Sequence, residues 1–252
     1  MAQARALDEW QAMREYWALR ASAVYRGEGV PHGDGQLVLV LPGLFGNDVY
    51  LHTVRDWLLR IGYRPLLSSL QWNVGCPKRL IGEIEKSLER RLRDHDGEIA
   101  IVGHSRGGLF AKVMAVRLAP RVRKLVVVGS PLGGMLKAGR AGLERFAAGH
   151  TGTDESPIAP PYVVQAGRAM TRLLDRDCNT PLCGCDYIED LLAPLPAGLK
   201  VTSIYSTSDP IVAPSASVVA GADNIEVEGT HNGLMFNRHV YPRIAKALAD
   251  RL

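Results

Sequence analysis

The chain has 252 residues, 46% of them hydrophobic, and a formal net charge of +4. That length and apolar content suffice for one domain with a substantial core, and no break in composition divides it. The charge is mild, and stretches such as "KRLIGEIEKSLERRLRD" mix both signs at helical spacing, which describes a solvated helix face and excludes a phosphate-binding track.

In chain order, residues 5–25 set Leu7, Trp10, Trp17 and Val24 on one helical face, with Met13 and Tyr16 beside it. This predicts a helix docking on its own domain through that aromatic stripe. Acids interrupt the apolar residues of "MAQARALDEWQAMREYW", so no secretory signal is expected there. No stretch reaches the roughly 18 consecutive apolar residues of a membrane span, and a cytoplasmic location is expected. "RGEGVPHGDG" breaks the helix with Gly and Pro, making residues 1–35 a helix and linker.

From Gln36 short apolar runs alternate with helical periods. "LVLVLPG", "YRPLLSSL", "EIAIVG", "KLVVVGSP", "KVTSIYS" and "NIEVEG" are predicted strands. Leu80, Ile84, Leu88 and Leu92 mark one helix, "LFAKVMAVRL" a second, and "RHVYPRIAKALADRL" a last one with Pro242 in its first turn. The alternation predicts an α/β domain: a mostly parallel sheet of about six strands, helices on both faces. Between Pro131 and Gly198 the regularity fails. Residues 131–198 are therefore expected to form an insertion, lid-like or cap-like, over the C-terminal edge of the sheet.

The cysteines are Cys76, Cys178, Cys183 and Cys185, the last three clustered in "DCNTPLCGCDY". Their spacing lacks the paired CxxC of zinc modules, so no metal is expected; a disulfide, a redox pair and plain thiols all remain open.

"GHSRG" sits between a strand and a helix, with Gly103, Gly107 and Gly108 around Ser105. A nucleophile at so abrupt a turn takes strained backbone angles, and bulky neighbours would collide with the adjoining elements. A serine needs a base, and the base an orienting carboxylate. Asp209 in "YSTSDPIVAP" and His231 in "GTHNGLMF" follow the fifth and sixth strands, on the same sheet edge as the elbow. His104 lies inside the elbow, aimed away from Ser105; His32, His52, His95, His150 and His239 fall in loops or helices where solvated or packed roles are the default. Asp223 precedes a strand, at the wrong end of the sheet. Oxyanion donors are expected at the amides of Leu44, in "LPGLFGN", and Arg106.

With these residues in view the chain resembles the α/β hydrolases of the lipase and esterase branch, from about Gln36 to the C-terminus. "LPGLFGN" resembles that branch's oxyanion loop, with Pro42 in place of the usual histidine. "GHSRGG" resembles its elbow, "GSPLGG" the segment after the next strand, "SDPIVAP" the acid loop and "GTHNGL" the histidine loop. Leu132 stands where many lipases carry histidine. The resemblance implies Ser105 as nucleophile, Asp209 as acid, His231 as base, and a two-step acyl transfer without cofactor. The substrate it implies is a small-molecule carboxylic ester. Leu136, Leu143, Phe146, Tyr162, Val163, Leu173 and Leu174 either wall an apolar acyl pocket or pack the insertion onto the body. A thioesterase or acyltransferase would use the same residues, and a non-catalytic binding protein would keep only the fold.

Overall fold

The structure, a computed structural model, describes residues 2–93, 95–147, 160–178 and 186–250. Its elements in chain order are α1 (Ala2–Ala21), a 3-10 turn at Val24–Arg26, β1 (Leu37–Leu41), α2 (His52–Arg60), β2 (Arg64–Leu67), α3 (Pro77–Arg91), β3 (Ile99–His104), α4 (Arg106–Arg117) and β4 (Val122–Val128). There follow α5 (Leu132–Ala147), α6 (Pro161–Leu174), α7 (Asp186–Leu192), β5 (Lys200–Tyr205), α8 (Pro214–Ser217), β6 (Asp223–Glu226), a 3-10 turn at Gly233–Phe236 and α9 (Val240–Ala249).

The six strands form one sheet in the order β2-β1-β3-β4-β5-β6, with every neighbouring pair parallel. The inner strands β1, β3 and β4 are rich in Val, Leu and Ile because both sheet faces are covered there, whereas the edge strands β2 and β6 are partly exposed and carry polar residues. Period-two alternation sorts their side chains into two cores. Leu37, Leu39, Leu41, Ile101, Leu125 and Val127 pack with α3, α4 and α7, while Val38, Val40, Val102, Val126 and Val128 pack with α2, α9 and Leu19 of α1. Chain direction across the sheet reverses between β1 and β3, so loops leaving their C-terminal ends flank a crevice where open α/β sheets bind ligands. Ser105 and the 42–46 loop both start from those ends.

Two expectations are corrected. The α1 helix docks on the body, but not by the aromatic stripe: Trp10 and Trp17 are 71% and 63% exposed, and the face turned inward carries Glu15, Tyr16 and Leu19. Both faces of this helix hold apolar groups, and fit to the 3-10 turn at Gly233–Phe236 decides between them; Tyr16 meets Phe236 edge-on with ring centroids 5.6 Å apart. Second, the stretch from Pro131 to Gly198 is not irregular where it is described, since it contains α5, α6 and α7. Gly and Pro conceal the period: α5 breaks at Gly139, with φ 59°, and α6 starts at Pro161, where a missing N–H is harmless.

Candidate active site

Between β3 and α4 a single residue, Ser105, makes the turn, with φ 52° and ψ −124°. A non-glycine residue in such a conformation costs on the order of 1–3 kcal/mol and persists only where its surroundings impose it. Here its N–H donates to the Val128 carbonyl (2.9 Å), and the elements around it are too close for side chains. A Cβ on Gly103 would lie 2.5 Å from the Gly107 carbonyl oxygen, and one on Gly107 would lie 2.5 Å from the carbonyl oxygens of both Leu41 and Pro42. One on Gly108 would collide with the Ser130 side chain. The three glycines are thus a packing requirement of the corner itself.

Asp209 and His231, 22 residues apart, come from the loops after β5 and β6. Asp209 Oδ1 accepts the amides of Ile211 (2.8 Å) and Val212 (2.9 Å), which fixes the carboxylate, and Oδ2 lies 2.7 Å from His231 Nδ1. His231 Nε2 lies 2.9 Å from Ser105 Oγ. An ionised carboxylate only accepts, so the ring hydrogen sits on Nδ1 and the Nε2 lone pair faces the serine hydroxyl. All three side chains are buried. Gly129, just past β4, has φ 54°, a left-handed conformation that favours glycine; a Cβ there would lie 3.0 Å from Leu234 Cδ1 and in ordinary contact with Asp209 Oδ2 and His231 Nδ1, 3.4 and 3.5 Å away.

His104 is aimed away from the hydroxyl, as its place in the elbow predicts. Its Nε2–H donates to the backbone carbonyl of His231 (3.0 Å), and the two rings lie 4.9 Å apart. Burial, reinforced by neighbouring His231, pushes its pKa down to about 3, so this ring is neutral. Asp223 opens β6, at the opposite end of that strand from the histidine loop.

The 42–46 loop is held by a residue that the sequence did not single out. Asn73 Nδ2 donates to the Pro42 carbonyl (2.7 Å), its carbonyl accepts the Phe45 amide (3.1 Å), and its amide donates to the Gly46 carbonyl (2.8 Å). The Arg106 guanidinium, stacked 4.9 Å from the Phe110 ring centre, donates to the carbonyls of Asn73 (3.2 Å) and Gly75 (2.8 Å). Gly43 brings the loop against the elbow, because a Cβ there would lie 3.1 Å from Ser105 Cβ. Hydrogen bonds among the described residues leave the Leu44 and Arg106 amides without an acceptor.

The α6 helix crosses this loop: a Cβ on Gly167 would be 3.4 Å from the Leu44 side chain, and Thr171 Oγ1 donates to the carbonyls of Gly167 (2.9 Å) and Gly75 (3.4 Å). Beyond α6, the Asp175 carboxylate accepts the Cys76 amide (2.7 Å) and pairs with Arg79 (2.8 Å), and its carbonyl accepts the Cys178 amide (2.9 Å). The Cys76 and Cys178 thiols are thereby neighbours and share a hydrogen bond, and burial pushes the Cys76 thiol pKa up. Cys178 thus finds its neighbour about a hundred residues back; Cys183 and Cys185 lie outside the described residues, as do the side chains of Leu143 and Phe146. Leu136 packs on the core, whereas Tyr162, Leu173 and Leu174 are exposed. Among the described residues no three His, Cys, Asp or Glu gather as a metal site, and no helix is long and apolar enough to cross a membrane.

No protein-family model matches the chain, and no curated protein matches it in sequence. Solved structures do match it in fold. A carboxylesterase from Bacillus subtilis is 13% identical with a TM-score of 0.54, over 96% of this chain and 99% of that one. A structure from a study of carboxylesterases of Nitrososphaera gargenis is 16% identical with a TM-score of 0.54, over 86% and 92%. The mouse alpha/beta hydrolase domain-containing protein 10 is 15% identical with a TM-score of 0.51, over 88% and 94%. Sheet order, elbow and these likenesses agree: the chain has the α/β-hydrolase fold.

Proposed function

We propose that this chain is a serine hydrolase that cleaves carboxylic esters through an acyl-enzyme. One observation carries the reading: an unbroken relay from the Ser105 hydroxyl through His231 to Asp209, with heavy-atom distances of 2.9 and 2.7 Å. In it His231 Nε2 takes the Ser105 proton as Oγ attacks the ester carbonyl, and Asp209 stabilises the imidazolium through Nδ1–H. The Leu44 and Arg106 amides, which have no acceptor among the described residues, hold the developing oxyanion, at about 3 kcal/mol for each donor. The alcohol leaves with the proton from Nε2, and water, activated by the same nitrogen, then releases the acid.

The substrate we infer is a small-molecule ester with an apolar acyl part. Phe45 and Trp72, 41% and 58% exposed beside the 42–46 loop and Asn73, support this, as does α6 lying over Leu44 in the manner of a lid.

The test compares wild type with Ser105→Ala on p-nitrophenyl esters of graded chain length, on acyl-thioesters, and with an added alcohol acceptor. The expected outcome is preference for oxygen esters, near-complete loss of turnover in Ser105→Ala with folding intact, and fluorophosphonate labelling of wild type alone. Faster thioester cleavage, or transfer to alcohol exceeding hydrolysis, would replace the assignment with a thioesterase or an acyltransferase. An unlabelled, inert wild type would leave a binding protein.

A further inference from the structure

The histidine loop has a support from outside the stretch that resembles the hydrolases. It comes from Glu15, on the inward face of α1. Its Oε1 lies 3.4 Å from the Thr230 amide nitrogen and its Oε2 lies 3.4 Å from Thr230 Oγ1, which in turn accepts the Gly233 amide (3.2 Å). The turn from residue 229 to 233 closes around this carboxylate. A Cβ on Gly229 would lie 3.2 Å from Oε1, and one on Gly233 would run into Oε2. At Gly233 it is the acid that needs the room; at Gly229 Asn237 Nδ2 comes closer still, 2.8 Å from the same Cβ.

Stability does not explain the acid. It is half-buried, and no Lys or Arg among the described residues pairs with it. Burial consequently pushes its pKa up against the lowering effect of the Thr230 bonds. A desolvated carboxylate without a cation weakens a fold, and a group held at such a cost is a candidate for a role in function. The bonded residue, Thr230, directly precedes His231. The same loop is also held by the Tyr50 hydroxyl donating to the Asn232 carbonyl (2.9 Å) and by His104 donating to the His231 carbonyl (3.0 Å). Glu15 is the anchor at Thr230.

We propose that Glu15 is a positioning residue for the general base: its carboxylate is the post around which the 229–233 turn closes, and α1 thereby belongs to the active site. This rests on the reading of His231 as that base. A loop that carries a catalytic nitrogen must be held to about half an ångström, and a misplacement of about 1 Å costs on the order of 100-fold in rate.

The experiment measures kcat and KM per fluorophosphonate-titrated site for wild type, Glu15→Ala and Glu15→Gln, turnover per mole of protein for Ser105→Ala, and thermal unfolding midpoints for all four. Glu15→Ala is expected to lose between about 10-fold and about 100-fold in kcat with KM unchanged. Its midpoint should stay within about 2 °C of wild type or rise, since a buried anion has been removed. Glu15→Gln keeps an oxygen for the Thr230 amide and is expected to recover most of the rate. A kcat for Glu15→Ala within about twofold of wild type overturns the proposal, as does a fall in midpoint with kcat per titrated site unchanged. If Glu15→Ala does not fold, Thr230→Val removes the hydroxyl contact instead: lowered kcat at constant KM supports the proposal, and an unchanged kcat overturns it. If Ser105→Ala retains turnover, the hydrolase reading itself fails. If Ser105→Ala is inert and Glu15→Ala runs at full rate, only the role of Glu15 falls.

Discussion

Gly107→Ala sets two effects of opposite sign against each other. Gly107 is the second residue of α4, and replacing glycine by alanine within a helix gains at most about 1 kcal/mol from propensity. The added Cβ, however, would stand 2.5 Å from the carbonyl oxygens of Leu41 and Pro42, whereas ordinary contact begins at 3.4 Å, so a separation of about 0.9 Å is needed. Both obstacles are backbone at the end of a central strand, which yields little; the start of α4 must move. Overpacking of this kind costs about 1–3 kcal/mol, so the net effect is destabilising. Ser105 lies two residues before Gly107, and a shift of that size stretches its 2.9 Å bond to His231 beyond hydrogen-bonding range. The expected outcome is a lowered urea midpoint together with a loss of about 100-fold in kcat on a p-nitrophenyl ester. A variant as stable as wild type, turning over at the wild-type rate, would refute the claim that close approach dictates the glycines of the elbow.

Two further outcomes concern pH. His104 is neutral when folded, with a pKa pushed to about 3 from 6.5, so the unfolded chain takes up the proton first and wild-type stability falls as the pH drops below 6.5. Between pH 6.5 and 5 this amounts to about 2 kcal/mol (1.5 × 1.36), and His104→Phe should lose that much less; urea midpoints at pH 7 and 5 that fall equally in both proteins would contradict it. Lys112, buried in α4, donates to the carbonyls of Asp190 and Ala193 at the end of α7, and burial lowers its pKa from 10.5 to about 8. The unfolded chain holds this proton more tightly between those values, so stability from this group rises with pH from 8 to 10.5, by at most about 3 kcal/mol. Lys112→Met should flatten the rise relative to wild type, and identical pH slopes in denaturant titrations would count against it.

The strands could be recognised in the sequence because a parallel strand buried on both faces is a short apolar run, and helices such as Leu80 to Leu92 because one face repeats. Ser105, Asp209 and His231 could be placed on one sheet edge because each follows a predicted strand, and parallel strands all end on the same side. Gly129 and Asn73 gave no such signal: the first matters through a left-handed backbone angle that appears only where the folded chain turns, the second only through the loop it ties. The helices α5 and α6 were hidden by the glycine and prolines within and before them.

Periodicity is a local property of backbone geometry, so the linear order of residues was enough to establish an alternating α/β chain, its elbow and the three polar residues at its strand ends. Which face of α1 turns inward is another kind of fact. Trp10 and Trp17 make the more conspicuous stripe, yet Glu15 and Tyr16 meet the body, because the turn that receives them lies 215 residues further along and takes its shape from the sheet. Separations of 2.7 and 2.9 Å between groups on different loops depend on strand register and on packing across two cores, and those exist only once the chain has folded.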